Sequence, residues 1–422
     1  MNNIKELMAS KLPHKGKKYL TRPSLYFLLK MLTALWRPQK DRRPQKISFS
    51  FYLNLLHRAY RKKQPVVWTN VYTPPELIWA LGGIPFMPEI FAAVAASLGL
   101  APFFLKKAEE AWYSSDLCSF HRGALGMMYS RLVPPPDLIL ATNQLCDGAI
   151  KFLEAASAFY RCPFYLLHIP YPVTSPTQAQ TWLAEELAAL VRDLKPLLPV
   201  TPRIINEAVN HSNQAREHLL TVNQLRQQIP SPHRGSEALS DVTMHLLALG
   251  TTYGTAFYHH LADNLSARVK NKKPALPQQK YRLLWLHFRP YYPNFLFDYL
   301  EKQHGAVIAF EEVNAVTWEK LSVDDFWFSL ATKILANPLW GQAGRRAAQV
   351  VSLARLYQVH GVIHFAQGGC RQSNGSVFLL RETLRNLKIP FLNLEGDCID
   401  ERNFMAGQTM TRLESFLELL EG

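Results

Sequence analysis

Two rhythms of apolar residues alternate along most of the chain. Short, nearly unbroken apolar runs occur at 65–68, 137–142, 164–169, 282–287, 306–310, 361–365 and 391–394. Runs of this length, bounded by turn residues, predict strands buried on both faces, as in a parallel sheet. Between them, apolar residues recur at helical spacing over 90–98, 148–160, 177–195, 293–303 and 373–386. Strand, helix and strand in succession predict right-handed parallel crossover units. The expected fold class is therefore α/β, with two Rossmann-like parallel-sheet domains. Residues 203–270 carry only the helical rhythm, interrupted at Ile229-Pro230-Ser231-Pro232. At 422 residues the chain exceeds what one hydrophobic core serves. The expected division is a basic helical N-terminal extension (1–64), a first α/β domain (65–200), a mostly helical segment (201–279) and a second α/β domain (280–422).

Charge changes the picture only at the N-terminus. Residues 1–46 hold twelve Lys or Arg against Glu6 and Asp41, a net of +10 out of +14 for the whole chain. An arm of this kind suits phosphate backbones, an anionic membrane surface or an acidic partner, with a solvated nonspecific arm as the default. No nucleic-acid role is expected of the body. Within the arm, Ser24 is the expected N-cap of a helix whose apolar face is Leu25, Leu28, Leu29, Leu32, Leu35 and Trp36. The run is too short to span a bilayer, so no transmembrane segment is expected. It is expected to dock on the protein's own body or on a partner, ahead of attachment to a membrane surface. Five cysteines form no disulfide framework, which favours a reducing cytoplasm.

Three cysteines stand where chemistry usually sits in α/β folds. Cys146 follows the apolar run 137–142 and precedes a helix pattern, and Cys370 follows the run 361–365 in the same way. Cys118 lies in Asp116-Leu117-Cys118-Ser119-Phe120-His121-Arg122, where a helix start and a guanidinium would lower its pKa. Three thiolates from separate loops form the ligand set of a cubane cluster with one open iron, yet a free cysteine is commonly a small buried hydrophobe. Without a Cys-x-x-Cys pair, spacing alone leaves ligand, reactive thiol and buried thiol all open.

Several segments, in order, resemble the 2-hydroxyacyl-CoA dehydratase and benzoyl-CoA reductase superfamily. They are Thr73-Pro74-Pro75-Glu76, the Cys118 segment, Leu145-Cys146-Asp147, Gly361 to His364 with Cys370, Glu395-Gly396-Asp397 and Thr411-Arg412-Leu413-Glu414. The resemblance covers roughly 66–200 and 280–422. It implies that Cys118, Cys146 and Cys370 hold a [4Fe-4S] cluster, that Glu76 works in the substrate cavity as acid, base or thioester holder, and that Cys162 and Cys398 are not ligands. It further implies an acyl-CoA substrate, a homologous dehydratase subunit (or a second copy) and an ATP-dependent iron–sulfur activator protein. A D-component-like subunit is the first expectation. A benzoyl-CoA reductase-type subunit and a noncatalytic cluster-bearing partner in electron relay or assembly are the alternatives.

The chemistry the resemblance implies answers a specific difficulty. The β-hydrogen of a 2-hydroxyacyl thioester is not acidic and its α-hydroxyl leaves poorly, whereas one electron added to the carbonyl gives a ketyl radical anion able to expel hydroxide. The chain has no G-x-x-x-x-G-K-[ST] and no strand followed by G-x-G-x-x-G, so neither ATP nor a dinucleotide is expected to bind here. Arg345 and Arg346, opening a helix, are expected either to clamp CoA phosphates or to face water. Glu311 and Glu312, at a strand end, are expected either at a site or in solvent, His168 in the core, and Arg122 either beside the Cys118 thiolate or with a surface acid.

Overall fold

A computed structural model describes residues 17–171 and 176–421. Lys5, Glu6, Lys11, Lys15 and Pro172 lie outside the described residues. Two four-stranded sheets, both wholly parallel, carry the fold. The first contains Val66–Trp68 (β1), Ile84–Phe86 (β2), Leu138–Thr142 (β3) and Phe164–Leu167 (β4), in the order β2-β1-β3-β4. The second contains Tyr281–Leu286 (β5), Ala306–Glu311 (β6), Gly361–Gln367 (β7) and Phe391–Gly396 (β8), in the order β6-β5-β7-β8. The two halves repeat one topology. In each, the strand order reverses between the first and third strands, which opens a crevice beyond their carboxyl ends.

The strands form where the apolar runs lie, and most are sealed on both faces. β3, β6 and β7 are buried along their whole length. The strand β2 carries no separate periodic signal, being three residues between two helices. β4 departs from expectation, because it is an edge strand with Leu166 and His168 exposed. His168 is thus not a core histidine; its Nδ1 lies 3.4 Å from Asn143 Nδ2 at the surface. The crossover expected over 293–303 is also shorter than its pattern, narrowing to a π-helical segment at Asp298–Gln303.

Three long helices, Pro202–Leu225, Gly235–Ala248 and Thr252–Lys270, form the middle segment. Their apolar faces join the same core cluster as both sheets. Helix Arg43–Arg61 buries Phe51, Leu53, Leu55 and Ala59 and packs on Thr252–Lys270. Helix Pro23–Leu35 packs in turn on Arg43–Arg61. Ser24 is not its cap. The helix begins one residue earlier, at Pro23, whose missing N–H costs nothing in a first turn.

Because the halves face each other, residues from the carboxyl ends of β1, β2, β3, β5, β6 and β7 line one cavity of about 120 Å³. Thr243 and Leu246 of the middle segment close one side of it. A wider mouth of about 720 Å³ opens beside it, and Cys118, His121, Cys146 and Arg346 are shared between the two spaces.

Candidate functional site

Cys118, Cys146 and Cys370 each occupy the N-cap of a helix, respectively Ser119–Tyr129, Asp147–Tyr160 and Arg371–Asn374. A helix start leaves backbone N–H groups without intrahelical partners. Here they lie near sulfur: the N–H groups of Phe120 beside Cys118, of Gly148 and Ala149 beside Cys146, and of Gln372 and Ser373 beside Cys370 each favour the thiolate. The Cys370 loop lies against the Cys118 backbone at Gly369. A Cβ there would stand 2.9 Å from Asp116 O, and the residue has φ +74°. Only glycine fits that approach without strain.

The residue after each cysteine fastens its loop. Ser119 Oγ donates to Asp397, which also accepts the N–H groups of Ile399 (2.8 Å) and Asp400 (2.9 Å). Asp147 pairs with Arg371, so the residues following Cys146 and Cys370 bridge the two halves at the surface. Arg122, expected beside the Cys118 thiolate or with a surface acid, is almost fully buried and meets one partly exposed and one buried acid. Its guanidinium reaches Glu109 Oε1 at 3.1 Å, Asp400 Oδ2 at 3.0 Å and Leu117 O at 2.9 Å.

Burial, followed by the proximity of Cys370, pushes the Cys118 thiol well above its ordinary range, contrary to the lowering expected beside Arg122. Cys146 and Cys370 are raised too, chiefly by burial. Each thiol therefore holds its proton at neutral pH until something replaces it, and the helix N–H groups stand ready for the thiolate. Three thiols that face one cavity and carry oriented N–H donors fit a cluster held by three cysteines. Cys162 precedes β4 and lines neither space. Cys398 lies near Cys118 and Cys370 but is wholly buried, and it lines neither space.

Two carboxylates separate the expected from the found. Glu76 is buried, ion-paired with Lys333 and hydrogen-bonded by Ser212 Oγ at 2.6 Å. It ties the Pro75–Ala80 helix to Pro202–Leu225 and Phe326–Leu335, and it is not among the residues lining the thiol cavity. Glu89 does line that cavity. Burial pushes its carboxyl up to about 7, and its Oε2 has no hydrogen-bond partner. Its Oε1 lies 3.9 Å from His121 Nε2, and burial pushes His121 down to about 4. The His121 ring stacks on Phe152, and its buried Nδ1 is also without a partner. Near neutral pH the pair is an acid close to half-protonated beside a neutral imidazole, an arrangement that can hold or move one proton.

The arginine pair resolves in an unexpected way. Arg346 is buried and grips Glu312 through two bonds (2.9 and 2.5 Å), while its Nη1 reaches Ser373 O and Ser376 Oγ. Arg345 caps the carbonyls of Leu335 and Trp340. Neither is free to clamp a phosphate. Glu311 and Glu312 are likewise not solvated; Glu311 makes a two-bond pair with the buried Arg226. His364 holds the Cys370 helix from below, with Nε2 2.7 Å from Ser373 Oγ and Nδ1 2.6 Å from Asn393 Oδ1. With Asn393 Oδ1 as acceptor, Nδ1 carries the proton and Nε2 accepts from the serine.

Known proteins share this chain's pattern over most of its length. A family described as 2-hydroxyglutaryl-CoA dehydratase, D-component, matches residues 70–420. The chain is 24% identical to the (R)-phenyllactyl-CoA dehydratase alpha subunit of Clostridium sporogenes, covering 86% of this chain and 91% of that protein. It is 22% identical to the lactoyl-CoA dehydratase alpha subunit of Anaerotignum propionicum, covering 86% and 92%. It is 23% identical to a benzoyl-CoA reductase subunit of Thauera aromatica, covering 82% and 86%.

Proposed function

Because the chain belongs to the 2-hydroxyglutaryl-CoA dehydratase D-component family, we propose that it is the iron–sulfur subunit of an enzyme that eliminates water from a 2-hydroxyacyl-CoA. The observation that carries this is the convergence of three N-cap cysteines on one cavity. Cys118, Cys146 and Cys370 would hold a [4Fe-4S] cluster. When bound, such a cluster supplies one low-potential electron to the thioester carbonyl, so that the neighbouring hydroxyl can leave, and takes the electron back afterwards.

The chain's own residues do the rest. Val71, Ile90, Phe120, Leu145 and Phe288 give the cavity an apolar wall that excludes bulk water. Glu89 carries its proton at the unpartnered Oε2 and delivers it to the departing hydroxyl; the carboxylate so formed then takes up the proton lost from the β-carbon, directly or relayed by the neutral His121, which restores the acid. Glu76, held by Lys333 and Ser212, positions the cavity wall. The relatives named above are each one subunit of an enzyme, two of them alpha subunits, so a second, homologous subunit is part of the proposal. An ATP-dependent activator delivering the electron, and a cytoplasmic, oxygen-poor setting, belong to it as well.

The test is iron and sulfide content with electron paramagnetic resonance on protein purified without oxygen. About four irons per chain are expected. They should be lost in Cys118→Ala, Cys146→Ala and Cys370→Ala and kept in Cys162→Ala and Cys398→Ala. An iron-free wild type after anaerobic reconstitution would remove the proposal. A reductase of an aromatic acyl-CoA is the second reading, favoured by the similarity to the Thauera aromatica reductase. Anaerobic turnover of one substrate class against the other separates them. A noncatalytic relay role would leave turnover unmoved in Glu89→Gln and Glu76→Gln proteins of full iron content.

A further inference from the structure

Helix Pro23–Leu35 faces the wrong way for a helix that packs only on its own chain. Its polar side is turned inward: Thr33 is buried, Lys30 Nζ donates to Asn54 Oδ1 at 2.7 Å, and Tyr26 stacks on Tyr60 with centroids 5.6 Å apart. Its outer side presents Phe27, Leu28, Met31, Leu32 and Leu35, each more than half exposed. These residues follow helical spacing, so they form one continuous apolar stripe about 12 Å long. Exposed Tyr19 and Trp36 stand at its two ends. An apolar strip of this kind in water marks a contact surface.

The charge around the stripe says what covers it. Lys17, Lys18 and Arg22 precede it, and Arg37, Lys40 and Arg42 follow it. Asp41 is the one acid among the described residues 17–46. A second copy of this chain would set cations against cations. A stripe one helix wide, with cations at both ends and aromatic residues at its limits, matches a helix lying in the plane of lipid headgroups. The segment also precedes residue 70, where the family match begins, and it contributes nothing to the thiol cavity.

We propose that this helix is an amphipathic anchor that holds the protein against an anionic lipid surface. Leu28, Met31, Leu32 and Leu35 enter the headgroup boundary, while the flanking lysines and arginines neutralise lipid phosphates. No helix among the described residues is long and apolar enough to cross a membrane, so the attachment is peripheral and reversible.

The experiment is co-sedimentation of the full chain, without oxygen, with phosphatidylcholine vesicles alone or containing about one third phosphatidylglycerol. The wild type should pellet with the anionic vesicles and be released by ~0.5 M salt. Leu28→Glu with Leu32→Glu, both exposed and therefore tolerated by the fold, should lower binding at least ~tenfold. Its far-ultraviolet circular dichroism and melting should match those of the wild type. A wild type that stays in the supernatant overturns the proposal, as do equal binding to uncharged vesicles and undiminished binding by the double variant. Sedimentation velocity showing self-association of the wild type that the double variant loses, with no vesicle binding, would make the stripe a protein interface and also overturn it.

Discussion

Glu89 carries the sharpest expectations at the scale of single residues. Burial raises its pKa from 4.5 to about 7, so the folded chain keeps a proton that the unfolded chain releases between those values. Stability therefore falls as pH rises through that window. Glu89→Gln should be more stable than wild type near pH 8 by ~3 kcal/mol, an advantage gone only below about pH 4, as read from denaturant melts at each pH. The same variant should lose about a hundredfold or more in turnover at unchanged iron content. With Glu89 acting as an acid, wild-type turnover declines as pH rises through about 7, and the glutamine variant lacks that limb. The sequence placed Cys146 and Cys370 beyond strands, as the structure has them, but did not reveal Glu89. Met87-Pro88-Glu89 reads as the acidic first turn of any helix, and the carboxyl is buried in a cavity lined largely by residues remote in sequence, His121 beside it among them. Arg346 misled for a similar reason, since Glu312 lies 34 positions away and leaves no local mark.

Among the elements, the loop after β7 is the most constrained. Gly369→Ala would force a side chain into a positive-φ position and against Asp116 O, at a cost of about 1–3 kcal/mol. Iron retention should fall with it, and denaturant melts beside iron analysis would show whether both move together. The Arg346 and Glu312 pair supports the same loop through Ser373. Arg346→Met leaves a buried carboxylate unpaired and should cost about 3–5 kcal/mol, most of it recovered by adding Glu312→Leu. Strand and helix periodicity was legible wherever an element was long and sealed, as in β3, β6 and β7. It failed at β4, whose apolar composition matches a buried strand although its place is the sheet edge. It also could not show that helix Pro23–Leu35 turns its leucines outward, because periodicity identifies a stripe and not what the stripe faces.

For the whole molecule, the two sheets are joined at buried polar contacts. Ser119 with Asp397, and Arg122 with Asp400, each link residues 278 positions apart. Arg122→Met removes one of these links while Asp400 keeps Arg402 at 2.7 and 2.8 Å, so it should lower the midpoint of a denaturant transition that stays single, with tryptophan fluorescence and circular dichroism still coinciding. The two-sheet plan was readable from the repeated strand and helix order. The facing of the sheets was not, because it depends on contacts that no local pattern encodes. That facing has a consequence for how the protein is made. Cys118 and Cys146 emerge from the ribosome with the first sheet, while Cys370 follows only after the second sheet is nearly complete. A nascent chain thus has two of the three thiols for most of its synthesis, and an iron donor arriving early finds no complete site. On the proposed cluster reading, metal loading would come after chain release and would register that both halves have folded and met.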